Sequence, residues 1–445
     1  MNDNSTTEEE YWNFDDPSLT ELAEAITPDF TIKEGPVCDT AKSFKVMREG
    51  KIIAIIKLGE PIIVDQAENE EPWGYYQFPT IYRNEDKNLI VKWSMKADAI
   101  DSYGLPVTRR NMMMSIDEGK TWTSLDKEYA ERKRTRCELS NGNILQEEHP
   151  ASADITKYSN FPAPVNNEAI NNSFYYYVDQ LPDDLQGVYF SLWDRNTGNT
   201  KQIHSKVTDP GLLRYSTNSL MPVIWTGNIR ELSDGSLIAG VYPTTYLNEN
   251  GNIQKSSITF YKSSDVGNSW SKQGTIFYQP DLNADPDGNK ASRTFTEPTF
   301  VVLNNGNLLC VMRTGAASPM YKSYSSDKGI TWSKPEAFTS NGVRPTMIKL
   351  DNDVLALASG RPGVQLRINI DGTGEKWTEP IDMVHYMDSN GTYSNTTDAS
   401  CGYADMIPCD NGSFYLVYTD FKKKRNDDQE RKTILFRKVT VKVRQ

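Results

Sequence analysis

Polar and ionisable residues recur at the ends of apolar hairpin segments in this chain: Gln77, His149, Tyr242, Glu297 with Arg313, Arg361, and Tyr403 with Asp420. One such residue is ordinary surface. A set at equivalent strand ends that a closed array would bring to one face is a candidate pocket. Arginine grips a carboxylate through two parallel hydrogen bonds, which lysine cannot match. Arg313, Arg361 and Arg344, the last at the start of GVRPTMIKL, therefore point to an acidic ligand. His149, one of three histidines, suggests a specific chemistry. A neutral imidazole near Tyr242 and several arginines could abstract the proton beside a uronate carboxylate, with the tyrosine protonating the leaving oxygen.

The elements that must position these residues repeat. An apolar run, a turn rich in Asn, Asp or Gly, and a second apolar run recur at FKVMREGKIIAII, FPTIYRNEDKNLIVKW, RCELSNGNILQEE, IRELSDGSLIAGVY, FVVLNNGNLLCVM, TMIKLDNDVLALA and MIPCDNGSFYLVY. Each is a hairpin pattern. The last six are followed by enough chain for further strands, so the expected fold is an all-β, six-bladed β-propeller spanning 31–445, with the hairpin near residue 50 closing the ring. Seven blades is the alternative. FYYYVDQ and YFSLWDRNTGNTKQIHSKV, within long loops at 150–225, read as the outer strands of one blade, and residues 1–30 as a polar lead-in.

A second repeat supports this layout. Ser115-Ile-Asp-Glu-Gly-Lys-Thr-Trp122 returns at Ser263–Trp270 and Ser325–Trp332, and more loosely at Asn369–Trp377. Ser and Asp can bond the loop backbone, Gly can take a positive φ, and Trp can cover the turn. This is the Asp-box pattern, and the chain resembles the sialidase (neuraminidase) superfamily. The resemblance implies a retaining exo-glycosidase that removes a terminal acidic sugar, with Tyr403 as nucleophile, Glu297 as its base, and Arg313 and Arg361 as carboxylate clamps. Arg344 would support the clamps. The family's first arginine aligns with Gln77, a neutral amide, and its acid/base aspartate with Asp101 or, as second choice, Asp98. Two other classes stay open: a polysaccharide lyase using His149 and Tyr242 on uronate-containing glycans, and a non-catalytic lectin stacking sugars on Trp73, Trp93, Trp225, Tyr103 or Tyr246. A base beside a phenol argues against the lectin.

Composition narrows the partners. A net charge of -12 argues against a nucleic acid, while local arginines can still bind an acidic sugar. No run is apolar and long enough to span a bilayer. The five cysteines lack metal-ligand spacing, so no metal or cofactor is expected, though Cys401 and Cys409 could pair and the loop NADPDGN at 283–289 could bind calcium. The expected protein is a monomer acting on a glycan, periplasmic or extracellular if a signal segment once preceded the polar start.

Overall fold

The computed structural model describes residues 12–25, 34–84, 86–107, 109–125, 136–316, 318–385 and 397–444. Every expected hairpin forms, from Lys42–Arg48 with Lys51–Leu58 through Ala404–Pro408 with Ser413–Lys424. The hairpins that open with Tyr75–Arg83, Arg136–Glu138, Thr226–Glu231, Thr296–Val302, Val343–Lys349 and Ala404–Pro408 each continue into further antiparallel strands. The result is all-β and propeller-like. Pairing between the outer strands Thr200–Thr208 and Ser269–Ile276 fuses two of these units into one eight-stranded sheet.

Side chains on the first two strands of the units stitch one unit to the next. Trp225 N donates to Glu147 Oε1 (2.7 Å), and Asn228 Nδ2 to Pro298 O (3.0 Å). Met347 N donates to Thr299 Oγ1, Thr346 Oγ1 to Ala404 O, and Ile81 N to Asp405 Oδ2, each at 3.0 Å. These bonds satisfy buried backbone groups and fix how the first strands sit against each other. The circuit closes between distant parts of the chain, because Lys51–Leu58 and Ile62–Gln66 both pair antiparallel with Glu430–Val443. Lys42–Arg48 and Thr20–Ala25 extend that sheet to Trp377–Thr378. The segment expected as a lead-in thus supplies a strand at Thr20–Ala25, while residues 1–11 and 26–30 lie outside the described residues.

The octapeptides form one turn three times. Ser115 Oγ donates to Asp117 Oδ1 (2.7 Å) and accepts from Gly119 N (2.8 Å), and Thr121 N donates to Asp117 Oδ1 (2.9 Å). The same bonds recur at Ser263, Asp265, Gly267 and Ser269, and at Ser325, Asp327, Gly329 and Thr331. Gly119 sits at φ +86°, as the sequence pattern requires. Each closing tryptophan packs on a neighbouring unit: Trp122 on Phe436, Trp270 on Phe190, Trp332 on Phe260 and Trp377 on Phe338.

Several expectations need correction. FYYYVDQ is not an outer strand of its unit: both outer strands, Val188–Trp193 and Thr200–Thr208, come from the second segment. Ser173–Tyr177 instead joins Leu213–Thr217, Ala153–Asp154 and Leu220–Met221 in a separate inserted sheet. Cys401 and Cys409 are free and lie at opposite ends of the strand Ala404–Pro408, too far apart for a disulfide. In the loop at 283–289, Asp285 pairs with Arg293 and Asp287 with Lys290, so both carboxylates already have cations. Trp93, Trp225 and Tyr246 are core residues, which leaves them no face for a sugar. Among the described residues no helix is long and apolar enough to cross a membrane.

Candidate active site

Three tripeptides place the centre of the site: Phe78-Pro79-Thr80, Glu297-Pro298-Thr299 and Arg344-Pro345-Thr346. At each, the first strand slips register against the second, between Gln77 and Thr80, Thr296 and Thr299, and Val343 and Thr346. Proline has no N–H for the ladder, and the bulge re-aims the residue before it. Phe78, Glu297 and Arg344 all adopt positive φ, at 54°, 47° and 45°. For non-glycine residues this strain is about 1–3 kcal/mol each and is typical of functional sites.

Tyr403 and Arg361 arrive by a different device. Each follows a glycine, and Gly360 and Gly402 meet back to back: a Cβ on Gly360 would lie 2.0 Å from the Gly402 Cα. Only paired glycines allow this approach. Arg361 also has positive φ, at 52°.

The side chains converge on Glu297, which is 5% exposed. Its Oε1 accepts a short hydrogen bond from the Tyr403 hydroxyl. Its Oε2 accepts from Arg313 Nη1 (2.9 Å) and from Arg344 N (2.8 Å). The Arg344 guanidinium lies 5.9 Å from the Tyr403 ring centroid, and the Phe78 ring meets the Tyr403 ring edge-on at 4.8 Å. Phe78, Arg344 and Tyr403 line one cavity together with Asn228, Arg230 and Asp405. Arg313 is also anchored through Nε to Gly315 O (3.0 Å). By contrast, the Arg344 and Arg361 guanidiniums have no carboxylate or carbonyl partner among the described residues, and the Arg361 Nε is buried without one.

Electrostatics sets the protonation states. Burial raises the Glu297 carboxyl, but the Arg313 and Arg344 charges and the Tyr403 hydrogen bond outweigh it and hold it below the usual range. Burial, then the Glu297 charge, pushes the Tyr403 phenol well above its ordinary value. At neutral pH a protonated phenol therefore faces an ionised carboxylate. Burial and the Arg313 charge lower Arg361. A carboxyl whose folded pKa is depressed contributes stability that is complete above its unfolded value of about 4.3 and lost as pH falls through the folded value. The stability difference between the native protein and Glu297→Gln should thus be constant from neutral pH down to that range and shrink below it. Urea midpoints measured against pH check this, and a difference that grows towards acid contradicts it.

The remaining sequence candidates are placed differently. Gln77 is fully buried, and with its amide oriented to suit its neighbours the oxygen accepts from Gly74 N and Lys432 Nζ, both at 3.2 Å. The bulge turns Gln77 into structure and gives its expected place to Phe78. The Pro-Thr pair shared by the first strands at Pro79, Pro298 and Pro345 was the sequence signal for this. Tyr242 lies within electrostatic range of Glu297, Arg344 and Arg313, and burial raises its phenol. His149 Nε2 is 3.0 Å from Glu147 Oε1, a carboxylate 2% exposed and already bonded to Trp225 N. Asp101 is exposed on the turn Ile100–Ser102, and Asp98 accepts from Trp73 Nε1 (3.1 Å). Asp420 accepts from Lys422 N (2.8 Å) where the strand Ser413–Lys424 shifts register.

Residues 213–416 match the family model of the BNR repeat-like domain. No curated protein matches the sequence. Among solved structures, a protein of unknown function from Dyadobacter fermentans has a TM-score of 0.58 at 15% identity, covering 87% of this chain and 99% of that one. An α-L-arabinanase from Penicillium chrysogenum has 0.48 at 14%, covering 85% and 98%. The NanB sialidase of Streptococcus pneumoniae has 0.44 at 14%, covering 89% and 76%. The matched segment takes in two of the octapeptide turns together with Glu297, Arg313, Arg344, Arg361 and Tyr403. Through that domain and its fold, the protein resembles the sialidase-like BNR-repeat β-propeller superfamily.

Proposed function

We propose that this protein is a retaining glycoside hydrolase, built on a six-bladed propeller, that cleaves a terminal acidic sugar from a glycan. The observation that carries this reading is the Tyr403 hydroxyl donating to an ionised, buried Glu297 beside two arginines whose guanidiniums have no carboxylate or carbonyl partner among the described residues. Arg344 and Arg361 are partly buried, and desolvated cations left without an anion are poor stabilisers, which fits a site for an anionic ligand. In the first step the Tyr403 oxygen attacks the anomeric carbon as its proton passes to Glu297 and the glycosidic bond breaks. The leaving oxygen takes a proton from an acid, a role assigned to Asp101 on the turn that leads to Tyr103. Water, losing a proton to the Asp101 carboxylate, then displaces the Tyr403 oxygen, which recovers its proton from Glu297, and retention results. Arg344 and Arg361 bind the carboxylate, Arg313 holds Glu297, and Phe78 gives the pocket an apolar wall.

Six blades follow if each stitched unit is one blade, with Ile62–Gln66 as the outer strand of the last. The second reading, a lyase with His149 as base and Tyr242 as acid, draws on the nearness of Tyr242 to the arginines. Product analysis on sialylated and uronate-containing glycans separates the two. Free monosaccharide supports the hydrolase, and an unsaturated uronate absorbing in the ultraviolet refutes it.

Arg361 gives a further test. Replacing it with Met should weaken substrate binding by about 2–5 kcal/mol, the value of a desolvated charge contact. Stability should hold or rise, since no protein partner is lost. Calorimetric binding and thermal melting report both, and a large loss of stability would assign Arg361 a structural role.

A further inference from the structure

We infer that the inserted sheet forms a second sugar-binding subsite, a tier of tyrosine rings that receives the sugars next to the one held at Glu297 and Tyr403. This rests on the glycan-directed reading above. Along Ser173–Tyr177, Phe174 and Tyr176 turn into a small apolar core with Leu181, Leu185 and Met221, so Tyr175 faces the other way. Tyr175 is the cross-strand partner of Tyr215, with ring centroids 6.5 Å apart. Leu213, on the same face as Tyr215, donates its N–H to Thr245 O (2.9 Å). That bond ties the inserted sheet to the strand Leu237–Thr244, which carries Tyr242.

A neighbouring turn completes the path. Gly104 packs so tightly on Pro150 and Ala151 that a Cβ would lie 2.3 Å from their backbone, and Ser152 Oγ donates to Ile100 O (2.9 Å). This fixes the turn that carries Tyr103, whose phenol lies within electrostatic range of those of Tyr215 and Tyr242. The rings Tyr175, Tyr215, Tyr103 and Tyr242, all half-buried, thus lead towards Glu297.

Their hydroxyls set three of these rings apart. Tyr158, Tyr246 and Tyr278 donate to a carboxylate or a carbonyl. Those of Tyr175, Tyr215 and Tyr242 have no protein partner among the described residues. A half-open ring with a free hydroxyl suits a sugar, whose C–H face stacks on the ring while its hydroxyls bond at the edge. The Leu213–Thr245 bond sets this sheet against the strand of Tyr242, and Tyr242 is within electrostatic range of Glu297 and Arg344, so the occupant proposed is the rest of the same oligosaccharide.

The test uses the full chain carrying Tyr403→Phe, so that bound sugar is not consumed. Calorimetry compares a sialyl trisaccharide and a uronate tetrasaccharide with their acidic monosaccharides, before and after adding Tyr175→Ala and Tyr215→Ala. Oligosaccharide binding should weaken roughly tenfold and monosaccharide binding by less than about twofold. Tyr175→Phe with Tyr215→Phe, which keeps the rings and guards against misfolding, should lose less. Equal weakening of both ligands, no weakening, or a parent protein that binds the longer sugars no better overturns the subsite. Tyrosine-dependent binding without any product from the native protein would keep the subsite and refute the hydrolase. Product release without a tyrosine effect would do the reverse.

Discussion

With Tyr403 replaced by phenylalanine, turnover is expected to fall by about 10³-fold or more, because the proposed reaction loses its nucleophile. The fold should be unaffected. The ring keeps its contacts with Phe78 and Arg344, and Glu297 keeps its bonds to Arg313 and the Arg344 N–H. Only the oxygen that bonds Glu297 is removed. Steady-state kinetics on whichever acidic glycoside the native protein cleaves, with matched urea melts, measure both effects. Full activity in Tyr403→Phe combined with inactivity in His149→Ala would refute the tyrosine mechanism and favour proton abstraction by the imidazole.

Adding a single methyl at Gly360 is expected to destabilise the protein by about 3 kcal/mol and to abolish activity at the same time. The new Cβ would lie 2.0 Å from the Gly402 Cα and 2.1 Å from its carbonyl oxygen, and backbone cannot rotate out of the way as a side chain can. The strands that separate are those that deliver Arg361 and Tyr403, so folding and chemistry fail together. Gly59→Ala is the matched control, since its Cβ meets nothing nearer than the Lys438 carbonyl oxygen at 3.2 Å. If Gly360→Ala loses less than about 1 kcal/mol and keeps its rate, the two strands have slack and the glycine contact does not position the site.

The sequence showed local features well. The hairpins and octapeptide turns depend on residues a few positions apart, with turn chemistry that names its residues, and Glu297, Arg313, Arg361 and Tyr403 could be placed at strand ends on that basis. It did not show which neighbour faces the pocket near residue 77. A one-residue bulge exchanges the two faces of a strand, so Gln77 went inward to Lys432 and Phe78 took the pocket. The inserted sheet was hidden for another reason. FYYYVDQ has the aromatic composition of any strand, and only its long-range pairing with Leu213–Thr217 shows which sheet it joins. Burial was equally hard to see, because a tryptophan that stacks on a sugar and one that fills a core, such as Trp225, have the same composition.

The pairing of Ile62–Gln66 with Glu430–Val443 also sets an order of events during synthesis. Gln66 meets Thr433 across 367 residues, so the early strands emerge from the ribosome long before their partner exists. Until then their unpaired edges are open to the wrong partners. Tyr403 immediately precedes the first strand of the sheet that those early strands complete. A nascent chain therefore has no assembled tyrosine–glutamate couple, and the appearance of activity during translation would serve as a clock for the moment the circle shuts.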